Sequence, residues 1–193
     1  MAIAPRYSLG TLARLAGSRD LTCRRSAAFS LGLLGNASTV ELLGPMLADE
    51  DRHVRLVADD GIKSIWQRRH SLFYQNQSET VSGLIEQGNH ERAIALADSL
   101  LNLDNQVPDW WCQRGLAKLH IEDINGALQD CERATRVCRF HYPAWIGIAY
   151  CRLEQAEPLE ALNGFRQSLD IYPDLEHIRL QVRHLERALW ELQ

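Results

Sequence analysis

Lysine is nearly missing from this 193-residue chain: only Lys63 and Lys118 occur, and the other 19 basic residues are arginines. That preference reflects codon usage, not chemistry. No apolar run reaches the ~18–20 residues that a membrane span needs, so no membrane partner is expected. Met1 to Gly10 lack the basic start and long apolar stretch of a signal peptide, which leads to a cytoplasmic expectation. The five cysteines, Cys23, Cys112, Cys131, Cys138 and Cys151, are odd in number and match no disulfide framework, which fits a reducing compartment. There is no glycine-rich phosphate loop, no Gly-x-Ser-x-Gly elbow, no His-Glu-x-x-His and no cysteine-protease signature. Nothing therefore points to an enzyme or to a cofactor.

What is present is enough to build a core, because 46% of the chain is apolar. The net charge of -4 is small. It is also uneven: residues 1–70 carry 10 Arg/Lys against 7 Asp/Glu, and residues 71–193 carry 11 against 18. That shift suggests a boundary near residue 70.

Internal repeats organise the second half. Ala93, Ala127 and Ala161 are evenly spaced, Leu103, Val137 and Ile171 keep the same interval, and Trp111 and Trp145 are separated by it once more. The interval is about 34 residues, which two antiparallel helices of about 13 residues and two short turns would fill. One such pair cannot bury its apolar face alone, so neighbours must stack. The alanines suit a close helix crossing, and the large rings Trp111, Trp145 and Phe165 suit the gaps between units.

These marks resemble the tetratricopeptide repeat. The unit at 108–141 holds Trp111, Gly115, Ala127 and Ala134, but Lys118 and Cys131 stand at its aromatic positions. The unit at 142–175 holds Trp145, Ile148, Ala149, Ala161, Phe165 and Pro173. The unit at 74–107 keeps Ala93, with Gln77, Thr80 and Val81 where Trp, Leu and Gly are usual. Pro143 and Pro158 fall near helix starts, Asn89 is placed to cap a helix, and Pro108 and Pro173 follow helices.

Residues 1–70 carry a second, shorter repeat. Asp20-Leu21-Thr22-Cys23-Arg24 aligns with Asp51-Arg52-His53-Val54-Arg55 at a shift of 31, and Leu12, Ala27, Leu31 and Leu34 align with Leu43, Ala58, Ile62 and Ile65. Residues 23–32 resemble the HEAT-like repeats of phycobilisome lyases. Asp59 and Asp60 weaken the second copy. Ser38 with Glu41 reads as a capping box, and Pro45 should bend or end its helix. Arg24 and Arg55 match the recurring arginine of that family, with Asp20 and Asp51 as candidate partners. Residues 176–193 form a separate amphipathic helix. Ile178, Val182, Leu185, Leu189 and Leu192 lie on one stripe, read as a cap on the last repeat and not a coiled coil.

The fold expected is all-α: a right-handed α-solenoid of helical hairpins with about eleven helices. Four belong to HEAT-like units (1–70), six to three tetratricopeptide units (71–175) and one to the capping helix (176–193). The two repeat types are expected to stack as one array, with 1–70 unable to fold alone.

Candidate chemistry is sparse. Cys138 with His141 could be half of a zinc site, but no second ligand pair follows, so no metal is expected. Cys138, between Arg136 and Arg139, is the one thiol placed to be reactive, yet a buried thiol is usually a small hydrophobe. Seven arginines (19, 24, 25, 52, 55, 68 and 69) make the first part mildly basic. Nucleic-acid binding is the third-ranked reading, behind a protein scaffold and an enzyme accessory subunit of the chromophore-lyase kind.

The resemblance implies a groove lined by the first helix of each unit. Its inner residues would be Ser78, Ser82 and Ile85; Cys112, Leu116, Leu119 and His120; and Ile146, Tyr150, Leu153 and Glu154. No Lys or Asn stands there to clamp a peptide carboxylate. The expected partner is a protein segment, as an apolar peptide or amphipathic helix.

Overall fold

The computed structural model describes residues 8–191, and among them the secondary structure is helical throughout. The chain divides into two compact units that part between His70 and Ser71.

Unit 1 begins with α1 (Leu9–Ala16) and α2 (Leu21–Leu34). A 3-10 turn (Ala37–Thr39), the single turn α3 (Val40–Leu43) and a second 3-10 turn (Gly44–Ala48) follow, and α4 (Arg52–Gln67) closes the unit. Pro45 falls in the first turn of the second 3-10 segment. The ring cannot supply the N–H that a continuing α-helix needs, so the helix breaks there. The cap differs from the expected Ser38–Glu41 box. Asn36 Oδ1 accepts from Ser38 N, and Ser38 lies inside the 3-10 turn. Asn36 wins because its carbonyl reaches the free N–H two residues on.

The period of 31 has a structural counterpart. Asp20 and Asp51 cap α2 and α4. Arg24 Nη1 donates to the carbonyls of Ser18 and Arg19, and Arg55 Nη1 to those of Asp49 and Glu50, the same offsets one repeat later. The carboxylate partners of Arg24 differ from the sequence expectation. Arg24 pairs with Asp49 and Glu50, and Arg25 takes Asp51. The Asp20 carboxylate accepts from the N–H groups of Thr22 and Cys23, and Arg24 takes carboxylates of the second copy. Helices α2 and α4 cross at Gly32 and Gly61, where a Cβ on Gly32 would lie 2.6 Å from the Gly61 Cα. Asp59 is nearly buried, and Lys63 Nζ neutralises it at 2.7 Å.

Unit 2 is three helical hairpins and a last helix: α5 (Leu72–Glu86) with α6 (His90–Leu103), α7 (Pro108–His120) with α8 (Ile124–Val137), α9 (Tyr142–Glu154) with α10 (Pro158–Ile171), then α11 (Glu176–Glu191). Each helix packs on the next, and the first helices of successive hairpins also touch, α5 on α7 and α7 on α9. Ala93, Ala127 and Ala161 are fully buried. Trp111 Nε1 donates to the Asn105 carbonyl and, one repeat later, Trp145 Nε1 donates to that of Arg139. Gly88, Glu122 and Ala156 take positive φ of 76°, 65° and 58° at the three hairpin turns. The following N–H of Asn89, Asp123 and Glu157 then returns to the carbonyl five residues back. Asn89 occupies the cap position of α6, but its side chain makes no capping bond. Helix α11 packs on α10 with Ile178 and Val182 buried and Leu185 and Leu189 half-buried. Leu192 lies outside the described residues.

Candidate functional site

The face formed by α7 and α9 opens into a cavity of about 230 Å³ with an apolar lining. Cys112, Gly115, Leu116 and Leu119 come from α7; Pro143, Ile146, Gly147, Tyr150 and Cys151 from α9; and Cys131 rises from α8 as the floor. The cavity has a readable cause. Cys131 stands one repeat before Phe165, the fully buried ring that meets Tyr150 edge-on at 5.2 Å in the next hairpin. A thiol fills less space than that ring. The two helices also offer no bulk around it: a Cβ on Gly115 or Gly147 would come within 2.9 or 2.6 Å of the Cys131 Sγ.

The thiols of Cys112, Cys131 and Cys151 therefore meet at one place. Cys131 is held in its protonated form, chiefly by its contact with Cys112, while its contact with Cys151 acts the other way and burial adds to the rise. The Cys151 thiol is raised as well, by its contact with Cys131 first and by burial second. These thiols behave as small apolar groups.

Of the eleven expected groove residues, the structure brings five to the cavity: Cys112, Leu116, Leu119, Ile146 and Tyr150. Ser78 and Ser82 are tied to α7 by Gln113, whose Nε2 donates to Ser82 Oγ at 2.9 Å and to the Ser78 carbonyl at 3.3 Å. Ile85 departs from its expected place on the open face. It lies in the core with Val81, Ala93 and Ala97, because α5 turns that side toward α6. His120 is exposed and stacks on His90 with centroids 4.6 Å apart. Leu153 is half-buried and Glu154 is exposed. The floor residues Cys131, Gly115 and Gly147 were missing from the sequence-based groove. The signal for them was the non-aromatic residue at an aromatic repeat position.

The cations of this face are occupied. Arg114 forks onto buried Asp130 and reaches Asp98 on α6, and Lys118 joins Asp130 at 2.8 Å. The Asp130 hydrogen bonds raise the Arg114 pKa above its ordinary value, against the opposing effect of burial. Elsewhere, His141 uses both ring nitrogens, accepting from Ala144 N and facing Asp109 Oδ1 at 3.1 Å, and Cys138 is buried. Among the described residues no group of three or more His, Cys, Asp or Glu is placed to hold a metal ion.

Compared with known proteins, the chain matches no family model. It is 31% identical over 98 residues to tetratricopeptide repeat protein 16 of Homo sapiens, a match covering 47% of this chain and 11% of that protein. The chain thus spans about a tenth of that relative's length. Three solved structures share the fold. The first tetratricopeptide domain of Spaghetti (RPAP3), bound to the HSP90 peptide SRMEEVD, has a TM-score of 0.56 at 20% identity, covering 60% of this chain and 91% of that one. The Sgt2 tetratricopeptide domain of Aspergillus fumigatus gives 0.59 at 16%, covering 63% and 82%. The Yersinia enterocolitica secretion chaperone SycD with a peptide of the translocator YopD gives 0.57 at 16%, covering 62% and 93%. The class this defines is an all-α fold of tetratricopeptide-type helical hairpins.

Proposed function

We propose that unit 2 is a binding module for a segment of another protein, and that the segment seats an apolar side chain in the cavity between α7 and α9. One observation carries this reading: the cavity is open and apolar at the place where the next hairpin is filled by Phe165. Solvated apolar concavities of this kind gain by being covered. Two of the structures similar to this chain hold peptides, which agrees with the reading. The chain is read as a scaffold and not an enzyme.

The test is affinity capture from native extract with the intact chain and with Leu116→Glu and Tyr150→Glu. A partner lost from both variants supports the cavity as the site. A partner set unchanged by either removes it.

A second reading concerns unit 1 as two HEAT-like repeats of an accessory factor. The recurrence of caps and arginine contacts from the first copy to the second supports the repeat itself. A coloured adduct formed with a chromophore protein would favour the chromophore-lyase form of it. Nucleic-acid binding is weakened, because Arg24, Arg25, Arg55, Lys63 and Arg68 are engaged by carboxylates or backbone carbonyls. A steep salt-dependent affinity for duplex DNA would restore it.

A further inference from the structure

We infer that the segment bound by unit 2 carries Lys or Arg beside its apolar anchor. This rests on the reading of the α7–α9 cavity as a peptide site and adds the charge of the ligand.

Helices α5, α7 and α9 carry three cations in all, and each is neutralised: Arg114 by Asp98 and Asp130, Lys118 by Asp130, and Arg152 by Glu157. The carboxylates are not balanced in the same way. Glu86 ends α5, Glu154 ends α9, and Glu122 follows α7; all three are exposed, and none forms an ion pair among the described residues. Glu86, His120 and Glu154 occupy the same repeat position, as the last residues of the three first helices. Glu154 lies one turn beyond Tyr150, and His120 one turn beyond Leu116, both of which line the cavity.

The helix termini add to this charge. Each C-terminus carries a partial negative charge of at most about half a unit, reduced where the turn N–H groups pair with carbonyls of the last turn. Glu154 closes the cavity-lining helix α9, Glu122 follows α7 and Glu86 closes α5, so the three carboxylates lie at the same end of the three first helices. An anionic peptide would meet repulsion there. A cationic one gains attraction, and a Lys or Arg one to three residues from the anchor spans the ~5.4 Å helical turn from Tyr150 to Glu154. The HSP90 peptide SRMEEVD seen on RPAP3 has the opposite character near its end.

The experiment pans a phage library of random dodecapeptides against the full chain and measures the selected peptides by fluorescence anisotropy. The selected sequences are expected to combine Leu, Ile, Met or aromatic residues with an excess of Lys and Arg. Their affinity should fall about 10-fold in the Glu86→Gln/Glu122→Gln/Glu154→Gln variant at 50 mM salt, and the gap should close at 0.5 M salt. A Glu91→Gln/Glu160→Gln variant, altered on the second helices, should bind as the parent does. Loss of binding with Leu116→Ser places the peptide at the cavity. Apolar peptides selected without basic residues, or an equal loss in the second-helix variant, overturn the charge inference and leave the cavity reading standing. If no apolar peptide is enriched, both fall.

Discussion

Gly88, Glu122 and Ala156 make the same left-handed turn at the three hairpins, with φ of 76°, 65° and 58°, but only the first has no Cβ. An L-residue held there costs about 1–2 kcal/mol, partly offset by the greater freedom glycine has in the unfolded chain. Ala156→Gly should therefore stabilise the protein by about 0.5–1 kcal/mol, read as a higher urea midpoint with an unchanged slope. A lower midpoint would show that the turn is not what limits this hairpin. A second residue-scale prediction concerns the thiols. Cys131 and Cys151 are buried with raised pKa values, whereas Cys23 and Cys112 are half-buried. Thiolate is the reactive form, so Ellman's reagent at pH 8 should modify Cys23 and Cys112 first, and Cys131 and Cys151 only on unfolding. The same shift makes the fold less stable in alkali, because the unfolded thiols ionise at a lower pH than the native ones.

At the scale of the element, caps decide where helices start and what pH they tolerate. Asp51 caps α4 through Val54 N and also takes the Arg25 guanidinium of α2. The Arg25 hydrogen bonds, with help from the cap, lower its pKa from the usual range to about 2. Its stabilising effect is complete above the unfolded value near 4 and is lost as pH falls toward 2. The expected result is a melting temperature that drops between pH 4 and pH 2, and a smaller drop in Asp51→Asn. An identical acid profile in the variant would contradict the assignment. Elements also show where local signals misled. Ser38 with Glu41 has the pattern of a capping box, yet Asn36 two residues earlier takes the Ser38 N–H and caps the segment instead. The sequence offers Asp20 and Asp51 as partners for Arg24 and Arg55, whereas the partners of Arg24, Asp49 and Glu50, lie 25 and 26 residues on. Sequence spacing alone does not say which carboxylate of a repeat faces which arginine.

For the molecule as a whole, unit 1 is the smaller of the two units, residues 1–70 against 71–193. Unit 1 has a core of Leu31, Leu43, Leu47, Val54 and their neighbours, but Phe29, Leu33 and Leu34 remain more than half exposed and α3 is a single turn. Two helical hairpins fall short of the ~3 repeats that such arrays need, and a chain of this size hides only ~60% of its unfolded surface. A fragment spanning 1–70 should show no cooperative helical melt by circular dichroism. A sharp transition would prove that unit 1 is independently stable.

The repeat structure was legible because it is periodic. The even spacing of Ala93, Ala127 and Ala161 specifies hairpins that must stack, and the helices of unit 2 follow from it. Half of the cavity lining was legible too, since residues such as Leu116 and Tyr150 share a helical face by spacing alone. The floor was not. Whether a small residue at position 131 leaves a void depends on what α7 and α9 place around it, and there Gly115 and Gly147 offer no side chain. The same holds for Ile85, which the repeat pattern put on the open face and the packing of α5 on α6 put in the core. Periodicity in the sequence set the helices and their faces, because those depend on neighbours three and four residues away. The tertiary structure alone decided which face stayed open and what charge bordered it, because those depend on side chains brought together from different helices.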